Sequence, residues 1–188
     1  DEYKPLSLTD TIHNVPGVYV KRINGISGLT TIRIRGARSI DTKLLYNGMP
    51  LTDPSDPQGS SNPLIGDLLS DVGSLEILKG ASSSTWGSKA IGGVINIVPK
   101  KGGKDELGTS FEFGSNGTFK ESFWISRKSD LFFQVTKLDS DGFDDNDYYD
   151  HVSSNLNYKF TPSDKFSSEF SALYTKTQAR LNDSPVLL

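Results

Sequence analysis

Two textures of apolar and polar positions run along this chain, and they meet near residue 103. In the first, the periods are short and mixed. Leu8, Ile12 and Val15 recur at helical spacing behind the capping residue Ser7, and Pro16-Gly17 ends the pattern, which predicts a short packing helix. Val18 to Ile23 and Thr31 to Arg35 alternate with period two and predict strands, with the glycine loop Asn24 to Gly28 between them. Lys43 to Tyr46 is a third short strand, and Asn47-Gly48 marks a tight turn because both residues tolerate positive φ. A polar loop stiffened by three prolines, Asp53 to Pro63, leads to an apolar helix face at Leu64, Ile65, Leu68, Leu69 and Val72. Ser74 to Leu78 reads as a strand. Small residues then crowd Gly80 to Ser88, and Gly92-Gly93 opens the apolar run Val94-Ile95-Asn96-Ile97-Val98, closed by Pro99. That order predicts a turn, close packing, and then a buried strand.

The second texture is strands of about ten residues with period two and almost no helix signal. Leu107, Phe111 and Phe113 oppose Ser110 and Glu112; Phe119, Phe123 and Ile125 oppose Lys120, Ser122 and Ser126; Leu131, Phe133 and Val135 oppose Phe132, Gln134 and Thr136. Leu156, Tyr158 and Phe160, then Phe166, Phe170 and Tyr174, continue the pattern. One face is aromatic and aliphatic, the other polar. Such a face is the core of a soluble sandwich or the lipid side of a transmembrane barrel, and alternation alone fits both. The connections are unequal: tight at Ser115 to Gly117, Lys128 to Asp130 and Thr161 to Asp164, long from Asp139 to His151. With the first strand rising from the periplasm, the turns at Lys128 and Thr161 fall on one side and the long loop on the other, the asymmetry of outer-membrane barrels. Glu121, on the apolar face, then has to lie near the aqueous rim.

Composition narrows the classes. The 188-residue chain has a formal charge of −3 with scattered Lys and Arg, so it lacks the basic stripe of a nucleic-acid binder. There is no cysteine, hence no disulfide framework and no thiolate metal site. No apolar run reaches the roughly 18 to 20 residues of a membrane-crossing helix, a test that says nothing about barrels. Neither histidine has a catalytic partner suggested by spacing and no paired-carboxylate arrangement appears, so no enzyme is expected. The first ten residues carry no signal-peptide pattern, and the chain reads as a mature form or a fragment.

The stretch Lys79 to Gly102, KGASSSTWGSKAIGGVINIVPKKG, resembles the RGP-S-x-L-YGS-x-A-x-GGVINI-x-T-K-x-G signature that ends the plug domain of TonB-dependent outer-membrane receptors. VPGV at Val15 to Val18, IRG at Ile34 to Gly36 and LLYNGMPLTD at Leu44 to Asp53 resemble the family's LPGV, IRG and LLDG-x-P-x-x-D. The departures are Asn47 for the usual Asp, Lys79 for Arg, Trp86 for Tyr and Pro99 for Thr. The resemblance implies an α+β plug domain at 1–103, incomplete at its N-terminus, followed at 104–188 by the first five or so antiparallel strands of a transmembrane β-barrel. This is a partial barrel, since the family's have about 22 strands. It implies a receptor in the bacterial outer membrane for energised uptake of a scarce nutrient such as a siderophore, vitamin or metal chelate, of the siderophore-receptor or cobalamin-transporter type. The partners implied are the TonB energy-transducing protein, whose binding segment is not visible here, a small-molecule ligand and the lipid bilayer. No cofactor is required.

Site residues follow from the same resemblance. The family's upper plug loops form the floor of the ligand site, which maps to Asn24, Ser27, Asp53, Ser55, Asp56, Gln58 and Ser60. Arginines at plug strand ends in the family face acidic residues of the barrel wall, which nominates Arg33, Arg35 and Lys79, with Glu112 and Glu169 as wall partners. Six carboxylates crowd the twelve residues Asp139 to Asp150, and cobalamin transporters bind calcium with aspartates in the corresponding loop. Clustered oxygen ligands suit calcium, so Asp141, Asp144, Asp145 and Asp147 are its candidate ligands; a solvated acidic tip is the plainer reading. The contrasting function is a soluble periplasmic or cell-surface binding or adhesion module, with the strands packed as a sheet on the α+β unit.

Overall fold

The computed structural model describes residues 8–22, 30–51, 72–142 and 147–180. The first part is built on the apolar run predicted to be a buried strand. Strand β6 (Gly93–Pro99) lies between β3 (Thr42–Tyr46), to which it is parallel, and β5 (Val72–Lys79), to which it is antiparallel; β4 (Met49–Pro50) completes the order β4-β3-β6-β5. A central strand can be apolar throughout because both of its faces are covered. On one face Leu44 and Tyr46 join Ile95 and Ile97. Onto them pack Leu8 and Ile12 from α1 (Leu8–His13) and Val18, Ile32 and Ile34 from the hairpin of β1 (Val18–Arg22) with β2 (Thr30–Ile34). On the other face Leu45, Ala90 and Val94 form a smaller cluster with Trp86, from the one-turn helix α2 (Ser83–Trp86).

Some expectations change here. Val72, placed on a helix face by its spacing, begins β5 and pairs with Pro99. Pairing to β6 outweighs the helical period at that point. The rest of that expected helix, the loop 24–28 and the loop 53–63 lie outside the described residues. Asn47 and Gly48 both have positive φ, 46° and 81°, as the tight turn between β3 and β4 requires.

The second part is a five-stranded antiparallel meander: β7 (Glu106–Phe113), β8 (Phe119–Arg127), β9 (Leu131–Ser140), β10 (Tyr148–Ser163) and β11 (Phe166–Arg180), in chain order. β10 and β11 run to 16 and 15 residues, longer than the pattern suggested. The long connection shortens to 141–147, because Tyr149, Asp150 and His151 pair with Ser140, Asp139 and Leu138. The turn expected at Thr161 moves to Asp164-Lys165. Ladder bonds extend each strand past the point where its polarity pattern fades. The turn at Ser115 to Gly117 meets the end of β9, where Asp141 N–H donates to Asn116 O at 3.0 Å.

The registers sort the outward face into rows. Phe123, Val135, Ser154 and Tyr174 form one, and Ile125, Phe133, Leu156 and Ala172 the next, an apolar band. On the tip side of that band, Glu121 lies opposite Lys137, whose ammonium pairs with Asp139 at 2.8 Å. Glu121 thus sits in a charged row at the rim.

Candidate functional site

The inward face of the meander is polar along most of its length. Register places Ser110, Ser122, Thr136, Ser153 and Thr175 in one row, with Gly108, Trp124, Gln134, Asn155 and Leu173 in the next. The first part of the chain is seated against the lower rows. Leu173 packs onto the apolar core that includes Tyr46, and Asn155 Nδ2 donates to the Tyr46 hydroxyl at 3.5 Å. Asn157 Nδ2 donates to Lys100 O at 3.3 Å.

Two arms converge on β11. Asn47 Nδ2 donates to Ser171 Oγ at 2.7 Å and reaches Glu169 Oε1 at 3.4 Å. Lys101 Nζ pairs with the same carboxylate at 2.8 Å. The turn carrying Asn47 is itself fixed: Asn47 N–H donates to Ile97 O at 2.8 Å and Gly48 N–H to Asn96 Oδ1 at 3.0 Å. Asn96, polar in an otherwise apolar strand, completes its bonding by donating from Nδ2 to Glu76 Oε2 at 2.9 Å.

The connection between the two parts is clamped. Gly103 N–H donates to Arg127 O at 2.9 Å, and Lys128 N–H to Asp105 Oδ1 at 3.2 Å. A Cβ on Gly102 would stand 2.4 Å from Leu131 N, so only glycine allows this passage under the β8–β9 turn. Beside it lies a cleft of about 690 Å³, lined in part by Pro99, Lys100, Lys104, Trp124 and Phe132. At the entry to β3, the Arg38 guanidinium holds Asp41 at 2.8 and 3.0 Å and keeps its carboxyl below the usual range, while Gly92 N–H donates to Asp41 O at 2.9 Å.

The residues nominated from sequence fall in three groups. Asn24, Ser27, Asp53, Ser55, Asp56, Gln58 and Ser60 lie outside the described residues. Arg33 lies opposite Tyr19 on the exposed face of the β1–β2 hairpin; Arg35, at φ 51°, donates its N–H to Gly17 O at 2.8 Å. Neither makes an ion pair among the described residues, and Lys79 Nζ donates to Pro16 O. The wall carboxylate Glu169 meets Lys101 and Asn47 instead, and Glu112 is exposed. Of the acidic-loop residues, Asp141 and Asp147 are described, while Asp144 and Asp145 are not; among the described residues no cluster of three His or carboxylate side chains is placed to hold a metal. His13 is exposed. His151, by contrast, is fully buried on the inner wall, with Nδ1 2.7 Å from Thr177 Oγ1, a placement its isolation in sequence did not signal.

A small α+β body seated on the polar inner face of an antiparallel sheet whose outer face is apolar defines a plugged outer-membrane barrel. A family model described as the TonB-dependent Receptor Plug Domain matches residues 1–94. The chain belongs to that family, the TonB-dependent receptors of the bacterial outer membrane, a family of transporters rather than enzymes. Among solved structures it is similar to the copper transporter OprC, at 23% identity and TM-score 0.71 over 94% of this chain and 28% of that one. The pyoverdine outer membrane receptor FpvA from Pseudomonas aeruginosa PAO1 aligns at 19% identity and TM-score 0.75, over 93% and 26%. The ferric yersiniabactin uptake receptor FyuA from Yersinia pestis aligns at 22% and 0.63, over 91% and 29%. The chain therefore spans between a quarter and a third of the length of these proteins, and the likeness is one of fold. The comparisons give no support to a soluble module.

Proposed function

We propose that this chain is the plug and the opening wall of a receptor that captures a scarce metal chelate or vitamin at the cell surface and admits it under TonB-driven energy, without covalent chemistry. The observation that carries this reading is the seating of the plug sheet on the polar inner wall, through Tyr46, Asn47, Lys101 and Leu173, with the apolar band turned outward. Similar structures named for copper, pyoverdine and ferric yersiniabactin put a metal or its chelate first among cargo classes. The ligand floor remains assigned to Asn24, Ser27, Asp53, Ser55, Asp56, Gln58 and Ser60, whose hydroxyls, amides and carboxylates suit a polar ligand. Arg33, Arg35 and Lys79 remain the cations offered to barrel carboxylates. The test is uptake of labelled iron chelates, copper and cobalamin by cells carrying or lacking the full-length receptor, with and without TonB. Uptake that ignores TonB, or no cargo distinguishing the two strains, would refute the reading.

The outer acidic loop is proposed to order around calcium through Asp141, Asp144, Asp145 and Asp147. Calcium added to the full-length receptor should protect this loop from protease, and an Asp144→Ala/Asp145→Ala double variant should lose that protection. Equal cleavage with and without calcium would remove the proposal.

A further inference from the structure

We propose that Asn47 is the residue that matches this plug to its own wall, with Glu169 as the group it is matched to. The inference rests on the receptor reading above and adds a sealing contact to it. Position 47 is where the resembled motif carries aspartate. Here the side chain amide approaches a carboxylate, 3.4 Å from Glu169 Oε1, while donating to Ser171 Oγ at 2.7 Å. An amide nitrogen can serve both acceptors; an aspartate has no donor to offer and would set a second negative charge beside Glu169. Lys101, already committed to Glu169 at 2.8 Å, would then have two carboxylates to balance instead of one. The presence of asparagine at 47 is thus explained by the wall opposite it.

The contact is also well placed to govern the seal. Glu169 is gripped from two directions: by the β3–β4 turn, which belongs to the plug sheet, and by Lys101, which belongs to the connection leaving that sheet. Asn96 acts as a positioning residue, since its Oδ1 holds the Gly48 N–H at 3.0 Å and its Nδ2 ties the turn to Glu76 on β5. Movement of the plug sheet is therefore felt at Glu169, and loss of the Glu169 contact frees Lys101 and leaves Asn47 held by Ser171 alone.

The experiment uses ligand-free full-length receptor with the variants Asn47→Asp, Glu169→Gln and the two combined. Asparagine and aspartate both tolerate the left-handed φ of 46° at this position, so Asn47→Asp keeps the turn and changes the charge. The readouts are open-channel events in planar bilayers and entry of a bulky hydrophilic antibiotic into cells. Neither needs cargo, so an error in the cargo or energy assignment leaves them intact. Asn47→Asp should raise open events by about tenfold, the scale of losing a hydrogen bond to a charged group. Glu169→Gln in the same chain should bring them back towards wild type, because a neutral amide on the wall can donate to the carboxylate introduced at position 47. If Asn47→Asp fails to insert, rescue of insertion by Glu169→Gln reads the same pair. A silent Asn47→Asp, or a double variant that leaks or misfolds as much as the single one, overturns the proposal.

Discussion

Replacing Gly93 by alanine asks the chain for two things it cannot easily give. Gly93 opens β6 with φ of 149°, and a Cβ there would stand 2.3 Å from Leu78 O and 2.7 Å from Ile34 Cδ1. The isoleucine methyl could rotate away. The carbonyl could not, because β5 pairs with β6 from Lys79↔Gly93 and Leu78↔Val94 onward, and moving it opens that ladder. Backbone strain of about 1–3 kcal/mol and overpacking of about 1–3 kcal/mol sum to about 2–6 kcal/mol. Against a typical domain stability of about 5–15 kcal/mol, that is a large share. Gly36→Ala is the control: φ is 77° but nothing lies within 4 Å of the added carbon, leaving only the left-handed penalty of about 1–2 kcal/mol.

These 188 residues hold no cysteine, so Ser82→Cys provides a reporter in a full-length receptor from which any cysteine elsewhere has been replaced. Ser82 is 8% exposed and would be labelled by a thiol reagent only as the plug opens. With a urea slope of about 1–3 kcal/mol per molar, a loss of about 4 kcal/mol lowers the labelling midpoint by at least about 1.3 M. Gly36→Ala should move it by half as much or less. Equal shifts for the two variants would refute the claim that the Leu78 carbonyl, rather than glycine's φ, makes position 93 intolerant.

Two further outcomes are expected. Asp41 titrates below its ordinary 3.8 because of its bond to Arg38, so its contribution is present above that value and is lost as pH falls through the lowered one. Asp41→Asn should flatten the acid limb of the same labelling assay, and an unchanged profile would show that the pair contributes nothing. On the outer face, Phe133 lies between Ile125 and Leu156 in the apolar band, whereas Glu121 lies in the charged row beside Lys137. Phe133→Lys should reduce insertion of the receptor into lipid vesicles by the equivalent of about 2–4 kcal/mol, and Glu121→Lys by about 1 kcal/mol or less; similar losses would mean that the lipid boundary has been drawn in the wrong place.

Much of this fold could be read from the residues because its strongest signals are local. Val94 to Val98 is apolar but for Asn96 and shows no alternation, and it became a central strand; Asn47-Gly48 took the positive φ values its composition permits. The strands after residue 103 were found by period two, but their ends were not. Tyr149 to His151 carry little pattern of their own and are drawn into the sheet by Leu138 to Ser140. Val72 fits a helix face by spacing and a strand by partner, and the partner decided it. Such choices are made by pairing across the chain, which a window of neighbouring residues does not contain.

The seam between plug and wall was less legible, for a related reason. The resemblance nominated Arg33, Arg35 and Lys79 for it, whereas among the described residues the wall carboxylate Glu169 meets Lys101, 68 residues away, and Asn47, 122 residues away. Charge alone could not have chosen among the Lys and Arg residues. Two quieter signals did point to the right place. Asn96 stands among four apolar residues, Val94, Ile95, Ile97 and Val98, and a buried amide there needs partners on both its donor and acceptor sides. Asn47 departs from the motif by one atom type, oxygen to nitrogen, which converts an acceptor into a donor at a turn held against β11. A polar residue in an apolar strand and an uncharged residue where the resembled pattern is charged are each compatible with many environments. Asn96 fixes the β3–β4 turn from within the plug sheet, and Asn47 at that turn then meets a wall that accepts hydrogen bonds, which Glu169 and Ser171 supply.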